Sequence, residues 1–256
     1  MIISESNQFV FIKGRKVAGT SVEVGLTSIC DRKDILTPIT PIDEVVRLRT
    51  ARLMAQNYGA DPDKLKAYRR TIRQIKRGAE GNWAKIRKPR GRFIGHMPFN
   101  QIEGSYGTIP SNWTIIGITR CPYEQALSRI KHMANKQAMQ EQSESYVDVD
   151  SSYFQQAKTK FIGRAAEKNL RLNIDLYKDS QNSLRPNFYL RYENLNDDYK
   201  KLLAQLGKTD APELPHLKKT ITSQKLAAQD LFSRDELDIL NRCFEEEFKT
   251  FNYTFI

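Results

Sequence analysis

The chain has little that would cross-link it or hold a metal. Its three cysteines, Cys30, Cys121 and Cys243, lie far apart with no C-x-x-C pair, so neither a disulfide framework nor a zinc site is signalled and a reducing compartment fits. Three histidines leave few groups for proton chemistry near neutral pH. No apolar run approaches the roughly 18 residues of a membrane span. Residues 1–8 carry neither a basic stretch nor a long apolar one, so the expectation is a soluble, cytoplasmic chain. With 13 Gly and 10 Pro in 256 residues, nothing suggests a collagen-like or low-complexity polymer, and the length supports a core that needs no staples.

What the chain does have is positive charge: 41 Lys and Arg against 30 acidic residues, a net +11. From Arg47 to Arg92 there are 15 Lys/Arg against Asp61, Asp63 and Glu80, so this stretch holds +12 (15 − 3) and the remainder −1 (11 − 12). Such a surplus suits a polyanionic or phosphorylated partner, although a charged helix face is also what a solvated helix shows.

Strands alternate with helices along the sequence. Phe9–Ile12, Trp113–Ile118 and Asn187–Tyr192 read as strands, each followed by apolar residues at helical spacing. Residues 31–60 are mixed, with Pro38 and Pro41 breaking any long element. Asp61-Pro62 opens a helix that Gly78 closes, Pro122 starts another, and Ser233-Arg-Asp-Glu236 is a capping box. The polar stretch 135–152 reads as a flexible loop. The expected fold is α/β, a three-layer sandwich with a central parallel sheet flanked by helices, as one domain over 1–256 with a basic helical insertion at about 45–92.

Between the first strand and its helix lies Gly14-Arg-Lys-Val-Ala-Gly-Thr-Ser21. A glycine-containing turn at a helix N-terminus presents backbone N–H groups to a phosphate or sulfate. It is not a Walker A loop, because that motif needs lysine where Thr20 stands. The stretch Phe11 to Ser21 resembles the 5′-phosphosulfate loop of sulfotransferases, and Ile118-Thr-Arg-Cys-Pro-Tyr-Glu-Gln-Ala-Leu-Ser128 resembles the family's 3′-phosphate motif, with Cys121 where members often have aspartate. Leu190-Arg-Tyr-Glu-Asn-Leu195 and the ending Phe244 to Tyr253 are similar to two further family segments. The resemblance runs from about Phe9 to Tyr253, is closest to the carbohydrate-type branch (sulfotransferase family 2), and implies a P-loop-type fold. It also implies the co-substrate 3′-phosphoadenosine 5′-phosphosulfate, released as 3′-phosphoadenosine 5′-phosphate, and no metal. Arg15, Lys16, Val17, Ala18, Gly19, Thr20 and Ser21 would cradle the 5′-phosphosulfate, and Lys16 would contact the bridging oxygen. Arg120 and Ser128 would hold the 3′-phosphate.

Sulfuryl transfer to a hydroxyl needs charge neutralisation on the leaving phosphate, in-line positioning and a base. His96, in Arg92-Phe-Ile-Gly-His-Met-Pro-Phe99 where a short strand would end, is the candidate base, weighed against a merely structural bond to the backbone; Glu23, Asp43 and Glu44 are the fallback carboxylates. His132 and His216 read as surface residues, and Tyr192 as either an adenine-stacking or a core tyrosine. The acceptor is expected to be a carbohydrate hydroxyl, with the basic stretch drawing in an anionic glycan. Two rivals are a P-loop nucleoside or sugar kinase, disfavoured by the missing Walker lysine, and a nucleic-acid-binding protein using the 47–92 arm. The second is disfavoured because Tyr58, Tyr68 and Trp83 are the few aromatics interleaved there and two nucleotide motifs would be left without purpose.

Overall fold

A computed structural model describes residues 1–80, 86–141, 147–215 and 228–256. In chain order the elements are β1 (Ile2–Ser4), β2 (Phe9–Phe11), α1 (Gly19–Thr27), β3 (Ile35–Leu36), α2 (Pro41–Ala51), α3 (Pro62–Lys76), α4 (Phe99–Tyr106), β4 (Thr114–Thr119), α5 (Pro122–Gln140), α6 (Ser152–Ala166), β5 (Phe188–Arg191), α7 (Leu195–Gln205), α8 (Ala228–Leu231), α9 (Arg234–Cys243) and α10 (Glu245–Phe251). Contacts divide the chain into two compact units, Met1–Thr119 with Asp175–Lys219, and Arg120–Ile174 with Thr220–Ile256. Sequence patterning alone gave no sign of that division.

The first unit is α/β. Residues 5–8 joining β1 to β2 are too few for a crossover, so the two strands pair antiparallel with Ile3 opposite Val10. β1 pairs antiparallel with β3 as well, while β2 with β4 and β4 with β5 pair in parallel, giving the order β3-β1-β2-β4-β5. The sheet is therefore mixed, with β1 alone reversed, and not the purely parallel sheet expected; the tight connection is the reason.

Side chains alternate across the strands, and Phe9, Phe11, Ile116, Ile118 and Leu190 share one face with Val22 and Leu26 of α1 and Leu202 and Leu203 of α7. On the other side Tyr177 packs edge-on to Tyr189 at 5.8 Å. Past the end of β2, the Tyr177 hydroxyl donates to the Ile118 carbonyl at 2.6 Å and accepts from its N–H at 3.1 Å, so the last turn of β4 before the second unit keeps its backbone groups satisfied.

Pro41 starts a helix and does not break one. It occupies the first turn of α2, where its missing N–H costs nothing, and Thr40 caps that end by accepting from Asp43 N at 3.4 Å. Asp61 caps α3 by accepting from Lys64 N at 2.9 Å, and Gly78, at φ +88, follows its end. Val45 of α2, Met54, and Tyr68 and Ile72 of α3 form a small shared core. The strand expected before His96 is absent. Gly91 and Gly95 flank only two apolar residues, and the segment is held by Phe93 N donating to Tyr58 O at 3.0 Å.

The second unit is helical. Tyr123, Leu127 and Ile130 of α5 meet Phe154 and Phe161 of α6, Leu237 and Leu240 of α9, and Phe244 and Phe248. Part of the expected 135–152 loop is helix: Ala134 and Ala138, both fully buried, extend the stripe begun by Ile130 and carry α5 to Gln140. The expected last helix divides at Phe244 into α9, opened by the predicted capping box at Ser233, and α10. Buried Glu247 accepts from Asn173 N at 2.9 Å, Ile174 N at 3.1 Å and Gln125 Nε2 at 3.2 Å, tying α10 to residues 173–174 and to α5.

Candidate active site at the β2–α1 loop

The loop between β2 and α1 turns through two left-handed residues that are not glycine, Lys16 at φ +61 and Ala18 at φ +60. Each such residue costs about 1 kcal/mol or more, and turns of this kind aim successive N–H groups into one concavity. Among the described residues the backbone N–H groups of Val17, Ala18, Gly19 and Thr20 have no acceptor, while Ser21 N and Val22 N already bond back to Ala18 O. Four consecutive free donors at the positive end of α1 are what an anion needs. Gly19 is required by close approach: a Cβ there would stand 2.9 Å from Lys13 Cγ and 3.1 Å from Gly14 O. Arg15, Lys16, Ala18 and Thr20 are half-buried, and Val17 and Ser21 are buried.

Behind the loop lies a charge cluster. α1 is buried almost all round, so Glu23, flanked by Val22 and Val24, has no water and must be paired. Its carboxylate accepts from Lys13 Nζ at 2.6 Å, the Met1 amino nitrogen at 2.8 Å and Thr37 Oγ1 at 3.2 Å, and Arg47 Nη2 lies 3.0 Å away as an ion pair outside hydrogen-bond geometry. Arg47, wholly buried, also donates to Thr37 O at 2.9 Å and to Glu44 Oε1 at 3.2 Å. Burial alone would push the Glu23 carboxyl up, but Lys13, the Met1 terminus and Arg47 outweigh it and hold it well below the usual carboxylate range. The cluster joins the loop to α1 and α2 within the first unit.

His96 enters this arrangement through Lys13. Its Nδ1 lies 2.8 Å from the Lys13 carbonyl oxygen, which only accepts, so Nδ1 carries the proton and Nε2 carries the lone pair. Burial, reinforced by the Lys13 charge, lowers its pKa to about 4, and the ring is neutral at pH 7. The structure thus brings His96 and the loop together through one residue, Lys13, to which sequence reasoning gave no role.

The fallback carboxylates are occupied. Glu23 faces three nitrogen donors; Glu44 is engaged by Arg47 and accepts from Ala55 N at 2.6 Å and Ile39 N at 3.2 Å; Asp43 accepts from Thr40 Oγ1 at 2.6 Å. Comparison with family models, with curated proteins and with solved structures finds no match.

Arg120 and Ser128 belong to the second unit. Arg120 precedes α5 and pairs with Glu124 at 3.2 Å, and Ser128 is half-buried two turns into that helix. His132 is exposed further along it, Tyr192 is 39% exposed in the first unit and so is no core residue, and His216 and Trp83 lie outside the described residues. Among the described residues no group of three His, Cys, Asp or Glu is placed to hold a metal, and no helix is long and apolar enough to cross a membrane.

The signal for the buried cluster was present in the sequence. A glutamate inside Ser21-Val-Glu-Val-Gly-Leu26 and an arginine inside Asp43-Glu-Val-Val-Arg-Leu48 are charges in apolar helix stretches, and each of two such charges can be the other's partner.

Proposed function

We propose that the protein is a sulfotransferase that moves a sulfuryl group from 3′-phosphoadenosine 5′-phosphosulfate to a hydroxyl, on a carbohydrate acceptor, on a P-loop-type fold. The observation that carries this reading is the row of four unpaired N–H groups from Val17 to Thr20, preceded by Lys16, at the start of a helix that follows a strand. That donor set fits a phosphate ester. The kinase alternative lacks its lysine after Gly19.

In the reaction the sulfur–oxygen bond to the leaving phosphate breaks as one to the acceptor oxygen forms. The loop N–H groups and the Lys16 ammonium neutralise the charge that grows on the leaving oxygen. His96 Nε2, kept free of its proton by the bond that Nδ1 makes to Lys13, accepts the hydroxyl proton.

Calorimetric titration tests the reading. The protein binds 3′-phosphoadenosine 5′-phosphate tightly and ATP weakly; a preference for ATP turns the assignment to the kinase.

A further inference from the structure

The cations of the basic stretch are sorted by the structure into inner and outer sets. Arg47 is consumed in the buried cluster, and Arg69 donates from Nε and Nη2 to Ala55 O at 3.1 and 2.8 Å. Lys66, Arg70, Arg73, Lys76 and Arg77, by contrast, are exposed, and among the described residues none of their side chains takes part in an ion pair. At 100° per residue these five positions fall within an arc of roughly 120° and span about 16 Å of helix axis. The opposite side of α3, Leu65, Tyr68, Ile72 and Ile75, packs with Val45 and Leu48 of α2, so the cationic face is turned outward by a fixed core.

This face works against its own helix. Lys66 with Arg70, Arg70 with Arg73, and Arg73 with Lys76 and Arg77 are like charges at three- and four-residue spacing, each costing a few tenths of a kcal/mol. A face serving solubility alone interleaves both signs, yet the acids of α3 are confined to its first turn and cap. The position of the face is also fixed, because α3 packs on α2 and Arg47 of α2 is bonded inside the first unit to Glu23 of the helix that begins at the loop.

We propose that the outer face of α3 is a binding surface for a linear sulfated or carboxylated polysaccharide, which is the acceptor class for the reaction above and rests on that reading. Charge complementarity selects a polyanion. A polysaccharide is favoured over nucleic acid because the aromatics among the described residues of this region, Tyr58 and Tyr68, are 0% and 4% exposed and offer no ring to a base.

The test compares the whole protein with a variant carrying Lys66→Glu, Arg70→Glu, Arg73→Glu and Arg77→Glu, and with the corresponding four-fold Gln variant in case charge reversal harms folding. The probes are dextran sulfate, neutral dextran, and single-stranded and duplex oligonucleotides. The native chain binds dextran sulfate and not dextran, with affinity falling steeply as salt rises. Both variants lose about tenfold or more, and the salt slope becomes shallower by about three to four charges. Melting temperature and affinity for 3′-phosphoadenosine 5′-phosphate stay at native values. Unchanged dextran sulfate binding in the variants overturns the proposal, as does tighter binding of an oligonucleotide at equal charge. The nucleotide titration reads the reaction separately: a native chain that binds dextran sulfate through these residues but not the nucleotide keeps the surface and loses the sulfotransferase.

Discussion

The Nδ1–H of His96 donates to the carbonyl oxygen of Lys13 over 2.8 Å. Because the side chain of the same lysine is bonded to Glu23, the imidazole is oriented by a residue that cannot move without breaking a buried ion pair.

This relationship sets a pH dependence. The pKa of His96 is depressed to about 4, first by burial and then by Lys13, whereas an unfolded histidine titrates near 6.5. Between those values the unfolded chain binds the extra proton, so the stability contributed by neutral His96 is complete above about pH 6.5 and is lost as pH falls towards 4. An anion on the loop offsets the neighbouring positive charge and raises the pKa. NMR titration of the imidazole is expected to give about 4 for the free protein and a higher value with 3′-phosphoadenosine 5′-phosphate. An identical titration in both states would separate His96 from the anion site. His96→Ala lowers turnover far more than nucleotide affinity, and equal losses would make its role structural.

Glu23→Gln removes the charge that Lys13 and Arg47 share while keeping the side-chain shape. Lys13 then loses its buried partner while Arg47 keeps only Glu44, and the expected loss is about 3–5 kcal/mol. Urea unfolding checks it; a loss under about 1 kcal/mol would mean that the cluster reorganises freely. The penalty grows as pH rises from below the carboxylate range, where Glu23 is itself protonated, to neutrality, because the native carboxyl is held low and its stabilisation is complete above the unfolded value and lost as pH falls through the native one.

The elements were legible wherever a local rule was sufficient. Asp61-Pro62 and Ser233-Arg-Asp-Glu236 start helices by capping and Pro122 starts one through its fixed φ at the first helical position, and the loop was legible from its glycines and its place between strand and helix. Two kinds of feature were not. β1 has three residues and becomes a strand only by pairing on both edges, with β2 and β3, which no local pattern announces. The cluster of Lys13, Glu23 and Arg47 joins residues from a loop and two helices; Glu23 and Arg47 stand out in their own stretches, but no local pattern announces that they and Lys13 meet. The division into two units was hidden for the same reason, since each unit is assembled from two separate stretches of chain.

Gly19→Ala is expected to damage the site more than the fold. The new methyl would lie 2.9 Å from Lys13 Cγ, so the root of a stem pinned at its tip to Glu23 must shift. That movement pulls on the Glu23 pair and on the carbonyl that orients His96. Affinity for 3′-phosphoadenosine 5′-phosphate falls by about tenfold or more, a cost of about 1.4 kcal/mol, while stability drops by about 1–3 kcal/mol. Native affinity in this variant would show that the loop does not need the close approach.

Lys16 offers a test in which activity and stability part company. Lys16 is half-buried and not part of the apolar core, so Lys16→Ala removes the proposed partner of the leaving oxygen without opening that core. Transfer falls by about 10²–10³, the loss seen when one preorganised stabilising group is deleted, and stability stays within about 1 kcal/mol. Lys16→Gly is the matched variant, because glycine adopts φ +61 without the strain that any side chain carries there, though it also gains entropy in the unfolded chain. The two variants are equally inactive, and the glycine form melts at or above the alanine form. Near-native turnover in either would remove Lys16 from the chemistry, and a large fall in melting temperature in both would make it a structural residue of the loop.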